Sequence, residues 1–577
     1  MFGFGVKRRT SVGGFSSVSR AANVDRLFRE TFDIVVIGGG ITGAAIARDA
    51  VLRGLTVALI EKGDYASGTS SRSSKLVHGG LRYLKGRHVR LVRESLRERG
   101  ILLKIAPYLV EPTSFLLPVY KGSPDGRLKL RLGLTAYDML AGFGEIARHS
   151  VLSREQMMEA EPLLRSEGLT GGFRYYDCLV NDARLTLMTV RSAGDEGAVV
   201  ANYVEATGLV REDGRVCGVS IRDRVSEETG SVRGRVVVNA AGPWVDHVRD
   251  LGGVAPILRP TKGIHLVVPR TRLGVQSIVV IPRVDRMLFA VPNGDYAYIG
   301  TTDTDFSGDP AGVTIDPSDA DYVLGASNAL FPSAKLVAAD VSGGWAGVRP
   351  LVAREGTPAP SDVSRDYEID VAPEGMYTIA GGKLTTSRAM AQTLIDRVIA
   401  QEGRRLGWQA GHCRTDQVPL HGGDVEKFER YAQAAASAVE TGWGLPDETA
   451  RRLLRAYGTE HVKLLGYAHQ DPKLLRPLFD GCSILQAEAV YAVEEEMAVT
   501  LSDFMGRRTE LMLFGDDHGL PGAKKAAELM GSLLGWDGRE RRRQVEAYKE
   551  SVAEMITVAR GGQAGLHQAL PRVPYSG

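Results

Sequence analysis

An apolar strand, a glycine-rich turn and a helix follow one another near the start of the chain, and this combination limits the possible folds more than any other feature. Asp33–Ile37 is mostly apolar and β-branched, and it leads into Gly38–Gly43, which has the spacing Gly-x-Gly-x-x-Gly. An apolar helical pattern runs from Ile41 to Arg53, and a second apolar run ends in Glu61. The pattern predicts the first βαβ unit of a Rossmann domain, with Glu61 placed to bind an adenosine ribose hydroxyl.

The three motif glycines serve different purposes. Gly38 permits the tight turn, Gly40 lets the backbone approach a pyrophosphate, and Gly43 lets the helix pack closely on the strand. The pyrophosphate would lie on the free N–H groups and the positive dipole end of the helix, at Ile41 and Thr42. The motif by itself fits NAD and FAD equally well.

Composition excludes several classes of protein. The formal net charge of +2 gives no overall basic field that would suggest nucleic-acid binding. The four cysteines lie far apart without a Cys-x-x-Cys pair, which argues against a metal site, a redox dithiol or a disulfide framework and favours a reducing compartment. No charge-free apolar run approaches the length of a membrane-spanning helix.

The length of 577 residues exceeds what one hydrophobic core usually supports. Alternating strands and helices over residues 30–105, 180–255 and 340–402 predict a discontinuous α/β domain with a parallel sheet. Short alternating strands predict an antiparallel-sheet substrate (cap) domain over residues 106–179 and 256–339. Those strands are Ile264–Val268, Ser277–Ile281, Met287–Val291 and Tyr296–Thr301.

Both ends of the chain differ from this central part. The first residues lack the apolar stretch of a secretory signal, and we expect residues 1–29 to form a flexible extension. Apolar residues at three- and four-residue spacing predict a C-terminal helical domain over residues 408–560. Glu448–Tyr457 and Leu485–Phe504 show this spacing most clearly.

Three loops add polar groups to the ends of the predicted strands. Thr69–Ser74 is rich in hydroxyls and could either bind a polar ligand or act as an ordinary linker. A buried strand leaves through Ala240-Ala241-Gly242, and a later strand ends in Gly381–Thr386 before a helix. In parallel sheets such strand ends meet at one edge, where ligands bind.

These segments together resemble the FAD-dependent, quinone-linked (aerobic-type) glycerol-3-phosphate dehydrogenases. The resemblance spans about residues 30–400 and continues more weakly through the helical tail. It implies a glutathione-reductase-like Rossmann FAD domain, an inserted antiparallel-sheet substrate domain and a C-terminal helical domain. The segments that carry it are residues 38–61, Ser70–Tyr83, Val238–Trp244, Thr301–Asp303, Gly347–Pro350 and Gly381–Thr385.

The resemblance implies FAD as the cofactor. We find no second Gly-x-Gly-x-x-Gly for NAD and no dithiol, so the electrons must leave to a small external acceptor. The residues expected to hold FAD are Gly38, Gly40, Ile41, Thr42, Gly43, Glu61, Thr69, Ser70, Ser74, His78, Gly79, Gly242, Gly382, Lys383, Leu384 and Thr385.

Oxidation of a secondary alcohol by a flavin needs a hydride acceptor and a base for the hydroxyl proton. His265 corresponds to the family's base candidate, and an imidazole suits this task near neutral pH. Without the resemblance, a half-buried strand histidine is the simpler interpretation. A phosphate needs planar, multidentate donors, which Arg349 could supply. Further positions that match the family's substrate site are Arg82, Tyr83, Arg286, Arg365 and Lys383.

Two positions keep alternative roles. Lys383 and the turn before it could instead lie at the start of a helix whose N-terminal dipole points at the pyrimidine edge of the flavin, where it would stabilise the reduced, anionic form. Asp303 could contact the flavin or order a neighbouring loop.

The expected activity is oxidation of sn-glycerol 3-phosphate to dihydroxyacetone phosphate, with the flavin reoxidised by a membrane quinone. Alternatives are an oxidase that uses O2, an amine-oxidising flavoenzyme of the same fold, and an FAD-binding protein without turnover. The resemblance also implies a homodimer. We expect a cytoplasmic location with peripheral contact to the inner face of the membrane. The basic runs Arg82–Lys104 and Lys121–Arg131 are the candidates for this contact. A solvated helix face or an anion-attracting funnel would also explain the first run.

Overall fold

Two β-sheets and a group of C-terminal helices make up the chain in this computed structural model, which describes residues 14–86, 88–123, 125–142, 146–282, 287–353 and 365–562. The strands are β1 (Thr31–Ile37), β2 (Val57–Ile60), β3 (Leu76–Val77), β4 (Val110–Tyr120), β5 (Ser150–Leu152), β6 (Leu169–Val180), β7 (Val199–Ala201), β8 (Val204–Glu212), β9 (Arg215–Asp223), β10 (Thr229–Asn239), β11 (Thr261–Pro269), β12 (Ile278–Pro282), β13 (Met287–Asn293), β14 (Tyr296–Gly300), β15 (Thr304–Asp305), β16 (Gly343–Arg349), β17 (Tyr367–Val371) and β18 (Tyr377–Gly381).

The helices surround the sheets and form the C-terminal part. They are α1 (Arg20–Arg29), α2 (Ile41–Leu52), α3 (Arg82–Lys85), α4 (Val89–Ile105), α5 (Arg127–Ala141), α6 (Arg154–Ala160), α7 (Asp182–Asp195), α8 (Val245–Leu251), α9 (Pro317–Leu330), α10 (Ser387–Leu406), α11 (Phe428–Trp443), α12 (Asp447–Tyr457), α13 (His461–Gly466), α14 (Gln486–Glu495), α15 (Leu501–Asp503), α16 (Leu511–Phe514), α17 (Leu520–Leu534) and α18 (Gly538–Ala559). Within the described ranges, no helix is both long and apolar enough to cross a bilayer.

The first sheet confirms the predicted Rossmann topology. Its central strands β18, β10, β1, β2 and β7 run parallel, and β1 lies between β10 and β2. Helix α2 packs against α7 and α10 on one face of this sheet. Ile34–Ile37 is fully or nearly fully buried, as expected for a strand covered on both faces.

Two of the motif glycines are required by close backbone contacts. Gly38 has φ +111°, and a Cβ atom there would lie 2.5 Å from the carbonyl oxygen of Ala240. A Cβ atom at Gly43 would lie 1.9 Å from the carbonyl oxygen of Gly38. Gly43 therefore serves the packing of α2 on β1, and its expected contact with the cofactor stays a prediction.

The second sheet is mostly antiparallel, and it contains all four strands predicted for the cap region as β11, β12, β13 and β14. Strand β16, which the sequence places in the FAD domain, instead pairs with β11 from Thr261↔Arg349 to Val267↔Gly343. The reason is packing, since Ala346 and Val348 belong to the hydrophobic core beneath this sheet.

The expected flexible extension is wrong for residues 14–29, while residues 1–13 lie outside the described ranges. Helix α1 buries Val24 and Leu27 against the first sheet. Arg20 forms a buried ion pair with Asp223 at 2.5 Å. These contacts fix the helix against the domain.

The C-terminal region is helical, as predicted, and α12 matches the predicted helix at Glu448–Tyr457. The helical spacing over Leu485–Phe504 is divided between two helices, because α14 ends at Glu495 and α15 begins at Leu501. Tertiary contacts interrupt the periodic pattern here. Glu496 forms a buried ion pair with Arg184 of α7 at 2.7 Å, and Met497 takes a positive φ of 51°.

Candidate active site

A long cleft lies where the carboxyl ends of the parallel strands face the second sheet. The first sheet contributes the ends of β1, β2, β10 and β18 to its wall, and the second contributes residues of β11, β13 and β16. This is the edge at which α/β sheets bind ligands. One end of the cleft is marked by Glu61 and the other by the cationic residues predicted for a substrate.

At the first end, Glu61 is held in place by the backbone. Its carboxylate accepts hydrogen bonds from the N–H groups of Gly39 at 2.7 Å and Gly63 at 2.8 Å. Burial raises the pKa of Glu61, while those two backbone donors oppose the rise. The N–H of Ile41 donates to Ser70 Oγ at 2.9 Å, so the hydroxyl-rich loop lies over the start of α2.

This half of the cleft fits a dinucleotide. A Cβ atom at Gly40 would approach Ser70 Oγ at 3.2 Å, so glycine keeps open the space between the helix start and the loop. The N-terminal N–H groups of α2 are directed toward that space, where a pyrophosphate would be stabilised. The other predicted cofactor residues that line the cleft are Gly38, Thr42, Thr69, Ser74, His78, Gly242, Gly382, Lys383, Leu384 and Thr385.

Gly79, which was expected to hold the cofactor, does not line the cleft. Its N–H donates to the hydroxyl of Tyr137 at 2.8 Å, and a Cβ atom there would lie 2.4 Å from Leu96. It therefore lies behind the wall of the cleft, and its neighbour Gly80 lines the cleft instead. The pattern Gly-Gly in the sequence does not distinguish the two positions.

Sequence reasoning missed a cation–aromatic pair at the adenosine end. Lys62 Nζ lies 3.8 Å from the centre of the Trp244 ring. The Trp244 ring covers Gly68, where a Cβ atom would meet it at 3.0 Å, and its Nε1 donates to Asp309 at 3.4 Å. Trp244 follows the predicted small-residue turn directly, which was the available signal for its place in the cleft.

His265 lies on β11 between β14 and β16 and is 2% exposed. Its Nε2 lies 2.9 Å from Ser74 Oγ, and its ring stacks on Trp345 with centroids 4.7 Å apart. Burial, followed by the positive charges of Arg349 and Lys75, holds the pKa of His265 well below its usual value. The imidazole is therefore neutral near pH 7. Its Nδ1 has no hydrogen-bond partner among the described residues.

Two arginines converge on Asp303. Arg349 donates to Asp303 at 3.0 Å, to Thr301 Oγ1 at 2.9 Å and to the carbonyl of Thr302 at 3.0 Å. Arg365 donates to the second carboxylate oxygen of Asp303 at 2.9 Å. Burial would raise the pKa of Asp303, but the two guanidinium groups outweigh it and hold that pKa below the usual range. Asp303 thus orients both arginines, a role that was not considered from the sequence.

Tyr83 lies among the remaining cations. Lys383 Nζ is 3.9 Å from the centre of its ring, and the guanidinium of Arg82 is 5.5 Å from it. Burial, with Arg365 and Arg82 nearby, lowers the pKa of Lys383 to about 8, although Tyr83 opposes the shift. The pKa of His78 is lowered to about 3 by burial and then by Lys383 and Arg365.

The structure therefore brings together four of the five predicted cationic side chains, Arg82, Arg349, Arg365 and Lys383, on the same cleft as His265. Arg286 lies outside the described residues. The cleft also has an aromatic and apolar wall, formed by Phe115, Tyr175, Met287 and Phe289, which the sequence did not indicate. These side chains come from three different strands, and only the register of the sheet places them together.

Comparisons with known proteins agree with this geometry. Residues 33–397 match the family described as FAD dependent oxidoreductase, and residues 413–541 match the C-terminal domain of alpha-glycerophosphate oxidase. The aerobic glycerol-3-phosphate dehydrogenase of Staphylococcus aureus is 37% identical over 548 residues, which cover 93% of this chain and 96% of that protein.

Solved structures show the same fold. The glycerol-3-phosphate dehydrogenase from Bacillus halodurans, crystallised with FAD, has a TM-score of 0.78 at 34% identity and covers 94% of this chain and 98% of its own. The L-alpha-glycerophosphate oxidase from Mycoplasma pneumoniae, with FAD bound, has a TM-score of 0.52 at 18% identity and covers 68% of this chain and 99% of its own. The second similarity concerns the fold alone.

Proposed function

We propose that this chain, which belongs to the family of FAD-dependent glycerol-3-phosphate dehydrogenases, oxidises sn-glycerol 3-phosphate to dihydroxyacetone phosphate. The observation that carries the proposal is the placement of a neutral His265 on the same cleft as four cationic side chains. This combination provides a proton acceptor beside a site for a doubly charged anion. An uncharged alcohol would need no such group of cations.

The cofactor would lie along the cleft from Glu61 to the turn at Gly382. When bound, FAD supplies the acceptor for the hydride that leaves C2 of the alcohol. Glu61 would accept a hydrogen bond from a ribose hydroxyl, and the N-terminal end of α2 would bind the pyrophosphate. Lys62 and Trp244 would cover this end and exclude water from it.

The substrate phosphate would be bound by the planar guanidinium groups. Asp303 and the carbonyl of Thr302 fix the plane of Arg349, so its orientation is set before substrate arrives. Such pre-organisation lowers the entropic cost of binding. Lys383, whose pKa is about 8, carries a proton at pH 7 and adds a further positive charge.

The hydroxyl proton would move to His265. Its low pKa keeps the lone pair available at neutral pH, which a base requires. We assign the transfer to Nε2 by way of Ser74 Oγ, which lines the cleft: the Ser74 hydroxyl would give its proton to Nε2 and take the proton of the substrate, whereas Nδ1 is buried without a hydrogen-bond partner among the described residues. The positive charge formed on the ring is stabilised by its stacking on Trp345.

The related amine oxidation is disfavoured by the same cations, because the single carboxylate of an amino acid neutralises less of their charge than a phosphate dianion does, and because they would repel its ammonium group. Anaerobic mixing of the FAD-loaded protein with glycerol 3-phosphate, glycine, sarcosine and proline tests this choice. Rapid bleaching of the flavin by glycerol 3-phosphate alone is expected. Bleaching by an amine alone contradicts the proposal, and an unbleached flavin with every compound would indicate FAD binding without turnover.

For the electron acceptor we propose a membrane quinone. The docking surface, which we define as the exposed side chains of α4 and α5, combines apolar and basic groups. Leu128, Leu132 and Met139 are 72%, 63% and 77% exposed. Surfaces of this composition bind acidic lipid headgroups and insert their apolar side chains at the interface. The exposed basic residues of the docking surface are Arg90, Arg93, Arg97, Arg127, Lys129 and Arg131.

Not all of the basic run predicted from Arg82 to Lys104 belongs to this surface. Arg82 lines the cleft, and Arg99 is fully buried, where it forms an ion pair with Asp177 at 2.8 Å. The run is therefore divided between the active site, the core and the docking surface. Contact with the inner face of the cytoplasmic membrane and formation of a homodimer remain parts of the proposal.

Flotation with anionic liposomes tests the docking surface. The double change Leu128→Ser and Leu132→Ser should abolish salt-sensitive flotation, while Val462→Ser should not, since Val462 is 65% exposed on a different helix. Equal flotation of both variants would remove the docking proposal. The acceptor is tested separately, because rapid peroxide formation from O2 without quinone would favour an oxidase.

A further inference from the structure

A short segment of the C-terminal domain, residues 510–514, contacts the loop beside the proposed base. Glu510 precedes α16, and its carboxylate lies 2.6 Å from Lys75 Nζ, at the end of the hydroxyl-rich loop. Asp182, the first residue of α7, lies 2.8 Å from the same Nζ. The side chain of Asn181 donates to the other carboxylate oxygen of Glu510 at 2.7 Å. Lys75 is thus held between one acid from the FAD domain and one from the C-terminal domain.

The two acids stabilise the charge of the buried lysine. Lys75 is 5% exposed, and its burial would lower its pKa, but Asp182 and Glu510 raise that pKa above the usual value. The backbone of Lys75 has φ 54° and that of Glu510 has φ 56°. Such conformations are unfavourable for residues other than glycine, and they cluster at functional sites.

The same loop holds His265. Ser74, next to Lys75, places its Oγ 2.9 Å from His265 Nε2. The Ser73 hydroxyl donates to Asp182 at 2.7 Å, and the carbonyl of Ser73 accepts from Trp345 Nε1 at 3.1 Å. Trp345 is the ring on which His265 stacks. The loop therefore sets both the hydrogen bond and the stacking partner of the histidine.

A second contact from the same segment supports this connection. Phe514, the last residue of α16, lies edge-on to Trp345 with centroids 6.2 Å apart and packs on Tyr298 at 6.0 Å. The Tyr298 hydroxyl donates to the carbonyl of Ser74 at 3.2 Å. Residues 510–514 thus contact the loop through an ion pair and its aromatic surroundings through a ring.

We infer that Glu510 is a positioning residue, which acts through Lys75 and the loop 73–75 to hold Ser74 Oγ on His265 Nε2. The inference rests on the proposed function of His265 as the base. It assigns to the C-terminal domain a part in the reaction, although none of its residues lines the cleft among the described residues. Glu510 therefore acts on His265 indirectly, through its ion pair with Lys75.

The test is anaerobic stopped-flow reduction of the FAD-loaded protein by sn-glycerol 3-phosphate. Glu510→Gln should lower the maximal rate of flavin bleaching by roughly 10- to 100-fold, the usual loss for a second hydrogen-bonded layer around a reacting group. The substrate Kd and the FAD content should stay within about twofold, because the arginines and the start of α2 are untouched. Phe514→Leu should lower the rate in the same direction.

Two controls separate positioning from a general loss of stability. Glu488→Gln breaks a buried ion pair with Arg452 inside the C-terminal domain, far from the loop, and should leave the bleaching rate within about twofold. In a Ser74→Ala background, Glu510→Gln should have little further effect, because both changes break the same connection.

The outcomes are distinct. A wild-type rate in Glu510→Gln overturns the inference while leaving the proposed function intact. Additive effects with Ser74→Ala, or an equal loss in Glu488→Gln, also overturn it. If wild-type protein is not bleached by sn-glycerol 3-phosphate at all, the proposed function itself fails.

Discussion

Replacing Arg349 with Lys removes the planar guanidinium fork while keeping a positive charge, so it tests how the substrate anion is bound. Arg349 donates three hydrogen bonds from two nitrogens, at 3.0, 2.9 and 3.0 Å. An ammonium group is a single point and cannot satisfy all three acceptors at the distances of a planar fork. We expect it to keep the bond to Asp303 and to lose the two bonds to Thr301 and Thr302.

The magnitude follows from those two bonds. Each hydrogen bond to a charged group contributes about 1.5–3 kcal/mol, and water compensates part of the loss in a cleft that is open to solvent. A net loss of about 3 kcal/mol in transition-state stabilisation corresponds to a roughly 100-fold lower kcat/KM. Both kcat and KM should change, because the same guanidinium binds the substrate and orients it.

The assay is anaerobic flavin bleaching over a range of substrate concentrations. Arg249→Lys is the matched control, because Arg249 is more deeply buried than Arg349 and forms an ion pair with Asp370 at 2.6 Å outside the cleft. The control should retain kcat/KM within about threefold. If Arg349→Lys also stays within threefold, the guanidinium fork has no role in substrate binding and the reasoning is refuted.

His265→Ala should slow flavin bleaching by roughly 10²–10⁴-fold with FAD retained, the usual contribution of a positioned base; a loss below tenfold would assign the proton to another group. Because the pKa of Lys383 is about 8, substrate Kd should begin to rise between pH 7 and pH 8 and should rise more steeply above pH 8, as the ammonium loses its proton. Lys383→Met should bind more weakly at pH 7 and lack this rise, and an unchanged rise in the variant would contradict the assignment. Gly263→Ala should raise KM roughly tenfold without loss of FAD, because its Cβ would lie 2.2 Å from Arg349 and displace the guanidinium; an unchanged KM would show that the exact place of Arg349 is unimportant.

The nucleotide half of the cleft could be predicted because its residues lie close together in the sequence. Gly38, Gly40 and Glu61 belong to one βαβ unit, and local geometry fixes their relative positions. The antiparallel strands β11 to β14 could also be predicted, since alternation of apolar residues is a local signal. No comparable local signal marks the break after Glu495, where Glu496 forms an ion pair with Arg184 of a distant helix.

The substrate half could be predicted only in part, for the opposite reason. Arg349 and Thr261 come together through the pairing of β16 with β11, and no local pattern predicts that register. The position of the Asp303 carboxylate between Arg349 and Arg365 depends on the same register. The contact of Glu510 with Lys75 joins residues that are 435 positions apart, and it depends on how two domains pack. Interactions over such separations need the structure.

The most direct test of the central proposal is a quantitative anaerobic titration of the FAD-loaded wild-type protein with sn-glycerol 3-phosphate, followed by analysis of the product. The account predicts that the oxidised flavin bands disappear and that one dihydroxyacetone phosphate forms for each flavin reduced. The sn-glycerol 1-phosphate enantiomer should bleach the flavin far more slowly, because the arginines and His265 fix the direction of C2. A flavin that stays oxidised, or bleaching without dihydroxyacetone phosphate, would contradict the account.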